Sequence, residues 1–255
     1  MQAQLGARKV QGPANLAQPS CAQCSAYELN LCQAASEAAW AFPNAAPLKI
    51  FQADHTAPAR RTICREQDLH DAVPIICSGW AASIIMLSDG SRQILSFLLP
   101  GDIVSTALLF EPRPHCLVEA ITDVRYRTFK RTELRAILFS HPDLLDKLSR
   151  AWIEEKARAD QLIVDLGRRT ADERIARLIL GLVDRLIKRD MVHGGDTLEL
   201  EFPLRQHHIA DATGLTPVHV SKVLSEFRRS GLVKISERSL TILDPAGFRR
   251  LANMR

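Results

Sequence analysis

Three cysteines near the N-terminus, Cys21, Cys24 and Cys32, are the residues whose type and spacing most directly indicate metal chemistry. Thiolates are strong metal ligands, and a Cys-x2-Cys pair begins many zinc sites. A zinc site would want a second close pair, which the sequence lacks, so unligated thiols on a mobile arm remain an open alternative. Cys64 and Cys77 lie in apolar, strand-like contexts and are interpreted as small core residues. Disulfides are not expected, because we place this chain in the cytosol.

A second group of residues, near the C-terminal end, has the pattern of two helices joined by a short turn. One short helix, 207–213, is followed by Gly214-Leu215-Thr216-Pro217 and a second helix. Glycine can take the left-handed conformation that ends a helix, threonine can cap the next one, and proline suits its first turn. Leu215 can fill the crevice between the two helices. This pattern predicts a helix-turn-helix.

The apolar repeat on the second helix determines which side chains face outward. Val220, Val223, Leu224 and Phe227 recur at i, i+3, i+4 and i+7 and define a buried face. Lysine and serine on the opposite face can bond base edges or phosphates, and valine can touch a thymine methyl group. For an isolated helix, the alternative is that these charges are merely solvated. The predicted DNA contacts are Thr216, Val218, Ser221, Lys222, Ser225 and Arg229, with His207 on the first helix and Arg238 beyond the second.

The segment after the second helix strengthens the DNA-binding interpretation. Residues 231–243 have the pattern of strand, turn and strand, with Arg238 at the tip, which is typical of a wing beside a helix-turn-helix. The net charge of +4 alone would prove little. From Pro203 onward, however, nine Lys and Arg residues stand against four Asp and Glu residues, so the positive charge is concentrated at this end.

Changes in periodicity divide the chain into four predicted parts of an α+β protein. They are an N-terminal arm with the cysteine loop and a short helix (1–47), a β-rich domain (48–140), a long helix (141–168) and a winged helix-turn-helix domain (169–255). Within the β-rich domain, Ser88-Asp89-Gly90 predicts a hairpin turn. Pro74 lies in the strand-like run 73–77, and because proline has no amide proton to donate, this run is expected to be an edge strand at best.

The long helix carries an apolar stripe at alternating spacings of three and four residues, which indicates a two-stranded coiled coil. We therefore predict a homodimer. The alternative is an amphipathic helix packed on its own barrel, and Glu155 on the stripe weakens the dimer interpretation. The predicted seam residues are Leu145, Leu148, Trp152, Ala159, Leu162 and Leu166.

This order of elements resembles that of the Crp/Fnr transcription regulators, and the resemblance covers nearly the whole chain. Residues 205–242 are similar to their DNA-binding domain, and Leu99-Pro100-Gly101-Asp102 and residues 171–176 are similar to recurrent family stretches. The catabolite activator protein, whose helix-turn-helix reads the major groove, is a member of this family. The resemblance implies a cyclic-nucleotide-binding-like β-roll (jelly roll), a dimerisation helix, palindromic DNA as partner and contact with RNA polymerase.

Within this family, the cysteine spacing resembles that of the oxygen-sensing Fnr branch, whose N-terminal cysteines hold a 4Fe-4S cluster. The resemblance implies gating by oxygen or redox state, with Cys21, Cys24 and Cys32 as ligands. Arg127 stands where the Fnr pattern has its fourth cysteine. If 116–120 and 124–129 form a hairpin, Cys116 lies near that position, and we take Cys116 as the fourth ligand. The alternative is a cluster-free regulator responding to a small molecule or haem-bound gas in the β-roll.

Other functions are disfavoured by missing motifs. Residues 101–116 match the stretch in which cyclic-nucleotide members of the family hold their ligand, but they lack the Arg-Ser or Arg-Thr pair of those members, so cyclic AMP is not expected. No phosphate loop, nucleophile elbow or zinc-protease pair indicates an enzyme. No apolar run indicates a membrane span or a secretory signal, so a cytoplasmic location is expected. Val218 replaces a glutamate of the Fnr recognition helix, which predicts an altered DNA half-site.

Overall fold

The first half of the described chain is a roll of two facing antiparallel sheets. The computed structural model describes residues 51–66, 68–140 and 142–254, so the predicted N-terminal arm lies outside the described residues. One sheet has the strand order β1-β7-β3 and the other β2-β6-β4-β5. The strands are β1 (Phe51–Ala57), β2 (Thr62–Cys64), β3 (Ala72–Ser78), β4 (Ala81–Met86), β5 (Arg92–Leu98), β6 (Leu117–Ala120) and β7 (Val124–Lys130), with a 3-10 helix at Thr106–Leu109 between β5 and β6.

Local sequence signals in the roll are confirmed at two places. The predicted turn joins β4 to β5: Asp89 Oδ1 accepts a hydrogen bond from the Ser91 amide at 2.8 Å, and Gly90 has a φ of +84°. That backbone conformation favours glycine because it has no Cβ. Pro74 lies in β3, which is an edge strand of its sheet, where the missing amide proton is tolerated.

Apolar side chains from both sheets meet inside the roll. Val73, Ile75, Val118 and Phe129 are fully buried there, together with Leu134 of the following helix. Each such side chain contributes about 1.5–3 kcal/mol when removed from water. This core makes the roll a rigid support for the long helix that follows.

The hairpin proposed to bring Cys116 near position 127 is wrong. Although β6 and β7 are consecutive, β6 pairs with β2 and β4, whereas β7 pairs with β1 and β3. The chain crosses from one sheet to the other between them, because each strand buries its apolar side on a different wall of the roll. Sequence proximity alone could not distinguish this crossing from a hairpin.

Three helices follow the roll: α1 (Arg131–Ser140), α2 (Pro142–Arg168) and α3 (Ala171–Ile187). Thr170 begins α3 with a capping box, in which the Thr170 side chain accepts from the Glu173 amide while the Glu173 carboxylate accepts from the Thr170 amide at 2.9 Å. These bonds satisfy amide groups that a helix start leaves unpaired. The cap therefore separates α2 sharply from α3.

The predicted dimer seam on α2 is partly used within the chain. Leu148 is 1% exposed in the core of the roll, so assigning it to a partner-facing seam is wrong. Trp152 is half-buried against Phe110, with ring centroids 5.2 Å apart. Leu162 and Leu166 face a cavity shared with α3. Other apolar residues of α2 remain exposed, namely Leu145, Ile153, Ile163 and Val164.

The C-terminal part combines short helices with a four-stranded antiparallel sheet of order β10-β11-β9-β8. The elements of this part are β8 (Val192–His193), β9 (Leu198–Glu201), α4 (Gln206–Thr213), α5 (Pro217–Arg229), β10 (Val233–Ile235), β11 (Ser239–Ile242) and α6 (Pro245–Leu251).

None of the helices in the described ranges is long and apolar enough to cross a membrane.

A cluster of charges fixes the C-terminal part on the roll. Asp102, in the turn after β5, pairs with Arg185 and, at 2.6 Å, with Arg189, both near the C-terminal end of α3. Arg185 also donates to the Phe97 carbonyl at 2.8 Å, and Arg189 donates to the Pro100 carbonyl at 2.9 Å. All three charged side chains are largely buried. We call these three residues the interdomain clasp.

Replacing Asp102 by asparagine is expected to destabilise the protein by about 2–3 kcal/mol, because two poorly hydrated guanidinium groups lose their counter-charge. Urea denaturation measures this loss. Asp184→Asn is the matched control: Asp184 pairs with Arg249 at 2.6 Å, but both side chains are more than a third exposed, so its cost should stay below about 1 kcal/mol. Equal effects of the two substitutions would contradict the role of the clasp.

Candidate nucleic-acid interface

The two helices α4 and α5 are joined by the sharp turn that the sequence predicts. Gly214 has φ +65° and ψ 35°, the left-handed conformation expected at a helix end. Thr216 caps α5, its side chain accepting from the His219 amide at 3.2 Å, and Pro217 occupies the first turn. Leu215 packs against the apolar core between the helices. The helix-turn-helix geometry is therefore confirmed.

The buried and exposed faces of α5 are also those predicted. Val220, Val223, Leu224 and Phe227 are buried, and the Phe227 ring packs edge-on against Phe248 of α6 at 5.3 Å. With this face packed against the domain, the opposite face is turned to solvent. That outward face is the surface that α5 would present to a DNA groove.

On the outward face, Val218 and Lys222 stand out. The Val218 side chain is 80% exposed, which is a large exposed fraction for an apolar residue. Lys222 is exposed as well, and no ion pair joins it to another described residue. Because a lysine donates through a flexible ammonium group and a valine offers methyl groups, the pair suits contacts to base edges.

The other predicted contacts on α5 have partners within the domain. The Ser221 hydroxyl accepts a hydrogen bond from the side-chain Nε2 of Gln206 at 3.3 Å. The Ser225 hydroxyl donates to the Ser221 carbonyl at 2.8 Å and accepts from Arg228 at 3.0 Å. Arg229 pairs with Glu226. These bonds must be exchanged or bridged before such side chains contact DNA, so their net contribution is smaller than that of Lys222.

The wing is a hairpin of β10 and β11, with Val233 opposite Ile242 and Ile235 opposite Leu240. Arg238 lies in its turn, mostly exposed, and pairs with Glu201 of β9 at 3.3 Å. His207 is exposed at the start of α4, with its ring centroid 4.0 Å from that of His208. Both predicted contacts thus lie on the surface of the same domain as Lys222.

His208, unlike its neighbour, is buried and holds the start of α4. Its Nδ1 accepts a hydrogen bond from the Arg205 amide at 3.1 Å. Burial lowers the pKa of His208 to about 4, and electrostatic interactions with His207 and Arg92 act in the same direction. The imidazole is therefore neutral in the folded protein near neutral pH, as its acceptor role requires.

This histidine should make the stability of the protein fall in mild acid. The unfolded chain binds a proton at His208 near pH 6.5, whereas the folded protein does not until about pH 4. Stability that is present above pH 6.5 is therefore lost as the pH falls toward 4, with a slope of up to about 1.4 kcal/mol per pH unit.

Urea denaturation at several pH values tests this expectation by comparing the wild type with His208→Gln, whose amide oxygen still accepts a hydrogen bond. The wild type should lose stability more steeply than the variant between about pH 6.5 and about pH 4.5. His193→Gln, at an exposed histidine of β8 that does not contribute to the pKa of His208, is the control and should retain the wild-type slope. A His208→Gln profile parallel to the wild type would contradict the assignment.

Of the four candidate metal ligands, Cys116 alone lies in the described part of the chain. Cys21, Cys24 and Cys32 lie outside the described residues. Cys116 is half-buried just before β6, and burial raises the pKa of its thiol, with Glu66 and Glu155 acting in the same direction while a hydrogen bond to Ser83 opposes them. In the described part of the chain, no group of three His, Cys, Asp or Glu residues is placed to hold a metal.

The other two described cysteines differ from each other. Cys64 is 1% exposed, and burial raises its pKa to about 12, which agrees with its interpretation as a core residue. Cys77 is half-buried, at an irregularity of β3 between Ile76 and Ser78, so its placement in the core is only partly right. A bulge shifts the inward and outward alternation of a strand by one residue.

Arg127 occupies the position aligned with the fourth cysteine of the Fnr pattern, and it has a structural role. Its guanidinium is nearly buried in β7 and donates to both carboxylate oxygens of Asp54, at 2.6 and 3.0 Å. This bond holds the pKa of Asp54 below its ordinary value, whereas burial acts in the opposite direction. The pair joins β7 to β1 on the other sheet from Cys116.

Sequence reasoning missed two sets of residues that the structure brings together. The interdomain clasp joins residues more than eighty positions apart, and only the aspartate of the Leu99-Pro100-Gly101-Asp102 stretch stood out in the sequence. The exposed residues Ile153 and Ile163 were missed because the spacing of three and four residues selects the neighbouring face of α2, which carries the predicted seam. The two isoleucines outside the predicted seam were the available signal.

Comparisons with known proteins agree with both halves of this architecture. Residues 55–141 match the model of the cyclic nucleotide-binding domain, and residues 173–251 match that of the Crp-like helix-turn-helix domain. The nitrogen fixation regulation protein FixK of Bradyrhizobium diazoefficiens is 32% identical over 75% of this chain and 78% of its own length. The transcriptional activatory protein AadR of Rhodopseudomonas palustris is 30% identical over 76% of this chain and 78% of its own. The solved structure of FixK2 from Bradyrhizobium japonicum superposes with a TM-score of 0.67 at 28% identity, covering 79% of this chain and 96% of that one.

Proposed function

Because the chain belongs to the Crp/Fnr family of DNA-binding transcription regulators, we propose that it is a cytoplasmic homodimer gated by an N-terminal iron-sulfur cluster. Its dimer would bind palindromic DNA and contact RNA polymerase, as the family resemblance implies. Two copies of α5, one from each subunit, would enter adjacent major grooves about one helical turn apart. Oxygen or redox state is the proposed signal.

The observation that carries the cluster proposal is the combination of the Cys21-x2-Cys24-x7-Cys32 loop with the position of Cys116. Cys116 is a half-buried thiol just before β6, and it forms a hydrogen bond with Ser83 of β4. Cys64, by contrast, is fully buried inside the roll. Of these two thiols, Cys116 is therefore the one that a ligand loop from outside the roll can reach.

Binding of a metal at Cys116 would have to displace a proton. Burial and two nearby carboxylates raise the pKa of the Cys116 thiol, while a hydrogen bond to Ser83 opposes them, so only a strongly bound metal would hold the thiolate form. A bound 4Fe-4S cluster would supply a redox-active group held by four thiolates. Glu155, one of the carboxylates that raise the pKa of Cys116, belongs to α2, the helix that carries the exposed apolar residues proposed for dimerisation.

Anaerobic purification followed by visible absorbance and by iron and sulfide analysis tests this proposal. The wild-type protein should contain iron and sulfide in equal amounts and absorb in the visible range, which air should bleach. Cys116→Ser should lose the colour, whereas Cys64→Ser, the matched control at a buried thiol, should keep it. A colourless, iron-free protein would overturn the proposal. Zinc without sulfide would favour the zinc-site alternative instead.

A further inference from the structure

A cavity lies where α2, α3, α4 and β5 meet, between the roll and the DNA-binding part. Its volume is about 160 Å³, and it is partly open to solvent. None of its lining residues belongs to 101–116, the stretch of the roll that resembles the cyclic-nucleotide pocket of the family. It is therefore a separate site, and both halves of the molecule contribute its walls.

Most of the lining is apolar, and the structure leaves room at one position in particular. Leucines from α2 and α3 and Phe97 from β5 form the walls. Gly181 stands in the middle of α3 and also lines the cavity, and a Cβ added there would meet no atom within 4 Å. Glycine is less stable than alanine inside a helix. Gly181 thus keeps open a space that a side chain would fill.

The polar part of the lining is dominated by positive charge. Four arginines, Arg158, Arg174, Arg177 and Arg185, line the cavity beside one carboxylate, Asp165. Arg177 is paired with Asp165 at 2.8 Å, Arg158 is paired with Glu154 at 3.6 Å, and Arg185 belongs to the interdomain clasp. Desolvation lowers the pKa of Arg185, and Asp102 opposes this effect while Arg158 reinforces it. Three of the four arginines thus have a carboxylate partner among the described residues, and an anion entering the cavity would be attracted to the fourth, Arg174.

Arg174 is the arginine best placed to receive such an anion. It donates to the Arg169 carbonyl at 2.9 Å and to the Thr213 carbonyl at 3.2 Å. No described carboxylate pairs with it. A guanidinium group prefers a carboxylate, whose two oxygens match its fork of donors, over neutral carbonyl oxygens. The side chain therefore has an unmet electrostatic preference at the edge of an apolar cavity.

We propose that this cavity binds a small apolar monocarboxylate, with its hydrocarbon part among the leucines and its carboxylate on Arg174. A cavity of about 150 Å³ holds benzene, so the size fits a single-ring acid or a short aliphatic acid. Because Arg174 contacts Thr213 at the end of α4, the occupied and empty cavities would favour different placements of the helix-turn-helix. The site provides a second input to the regulator and does not depend on the iron-sulfur cluster.

Calorimetric titration of the purified full-length protein with benzoate and with hexanoate tests the site. For ligands of about eight or nine non-hydrogen atoms, a dissociation constant between about 10 μM and 1 mM is expected. Benzyl alcohol, which lacks the charge, and inorganic phosphate, which lacks the apolar part, should each bind at least about tenfold more weakly. Phosphate binding as tightly as the acids would overturn the proposal.

Two variants make the test specific to this cavity. Gly181→Leu should fill the space and abolish acid binding, and Arg174→Gln should weaken it at least about tenfold. Arg228→Gln, at an exposed arginine of α5, is the control and should bind the acids like the wild type. Thermal melting and binding to random-sequence DNA verify that Gly181→Leu is folded. The proposal fails if neither acid binds saturably to the wild type, or if a folded Gly181→Leu variant binds them unchanged.

Discussion

Truncating Lys222 to alanine is expected to weaken binding to the preferred DNA site of this protein by about 30- to 1,000-fold. A lysine that reads a base contributes about 1–2 kcal/mol, and a dimer carries two copies. Lys222 is exposed on the outward face of α5, beside Val218, whose side chain is 80% exposed. Binding to random-sequence DNA should change much less, because that binding depends on the phosphates.

The measurement requires a duplex that the wild-type protein has itself selected from a random pool, together with a random duplex of equal length. Titrations at two salt concentrations give the affinity and its salt dependence for both duplexes. Arg238→Ala is the comparison within the same domain. As a phosphate contact in the wing, it should weaken binding to both duplexes alike and reduce the salt slope by about one per subunit.

Two results would contradict this assignment. Equal weakening on both duplexes by Lys222→Ala would make Lys222 a phosphate contact, and unchanged binding to the selected duplex would place it outside the groove. The selected duplex also tests Val218, for which we expect a half-site that differs from the Fnr site at one base pair. A valine there can contact a thymine methyl group, whereas it cannot accept a hydrogen bond from cytosine.

The double substitution Ile153→Glu and Ile163→Glu is expected to convert the dimer into a monomer at micromolar concentration. Ile153 is 69% exposed and Ile163 70% exposed on α2. Together with Leu145 and Val164, they form an apolar surface that needs a partner to leave water. Facing glutamates in a second subunit would add repulsion to the lost apolar burial.

Sedimentation analysis measures the oligomeric state, and titration of the selected palindromic duplex measures the consequence. Without dimerisation each half-site is bound independently, so affinity for the palindrome should fall by at least about 100-fold. Lys147→Glu, at an exposed residue on the opposite face of α2, is the control for charge and should remain dimeric. A double variant that stays dimeric would place the interface elsewhere on the molecule.

The sequence by itself determined the local elements and their order. The turn from Gly214 to Pro217 and the apolar repeat of α5 depend on neighbouring residues, because helix caps and helix faces are local properties of the chain. The hairpin turn at Gly90 and the edge position of Pro74 are local in the same sense. The outward position of Val218 and Lys222 followed from these signals, and the structure agrees with it.

The tertiary structure decided which surfaces meet. The heptad pattern placed Leu148 on the dimer seam, but the roll buries Leu148, and Ile153 and Ile163 remain exposed on the neighbouring face. The crossing between β6 and β7 separates Cys116 from Arg127, although fewer than a dozen residues lie between them. The interdomain clasp joins Asp102 to Arg185 of α3, more than eighty positions further along the chain. Such contacts depend on how separate elements pack, and a residue's own sequence neighbours carry little information about them.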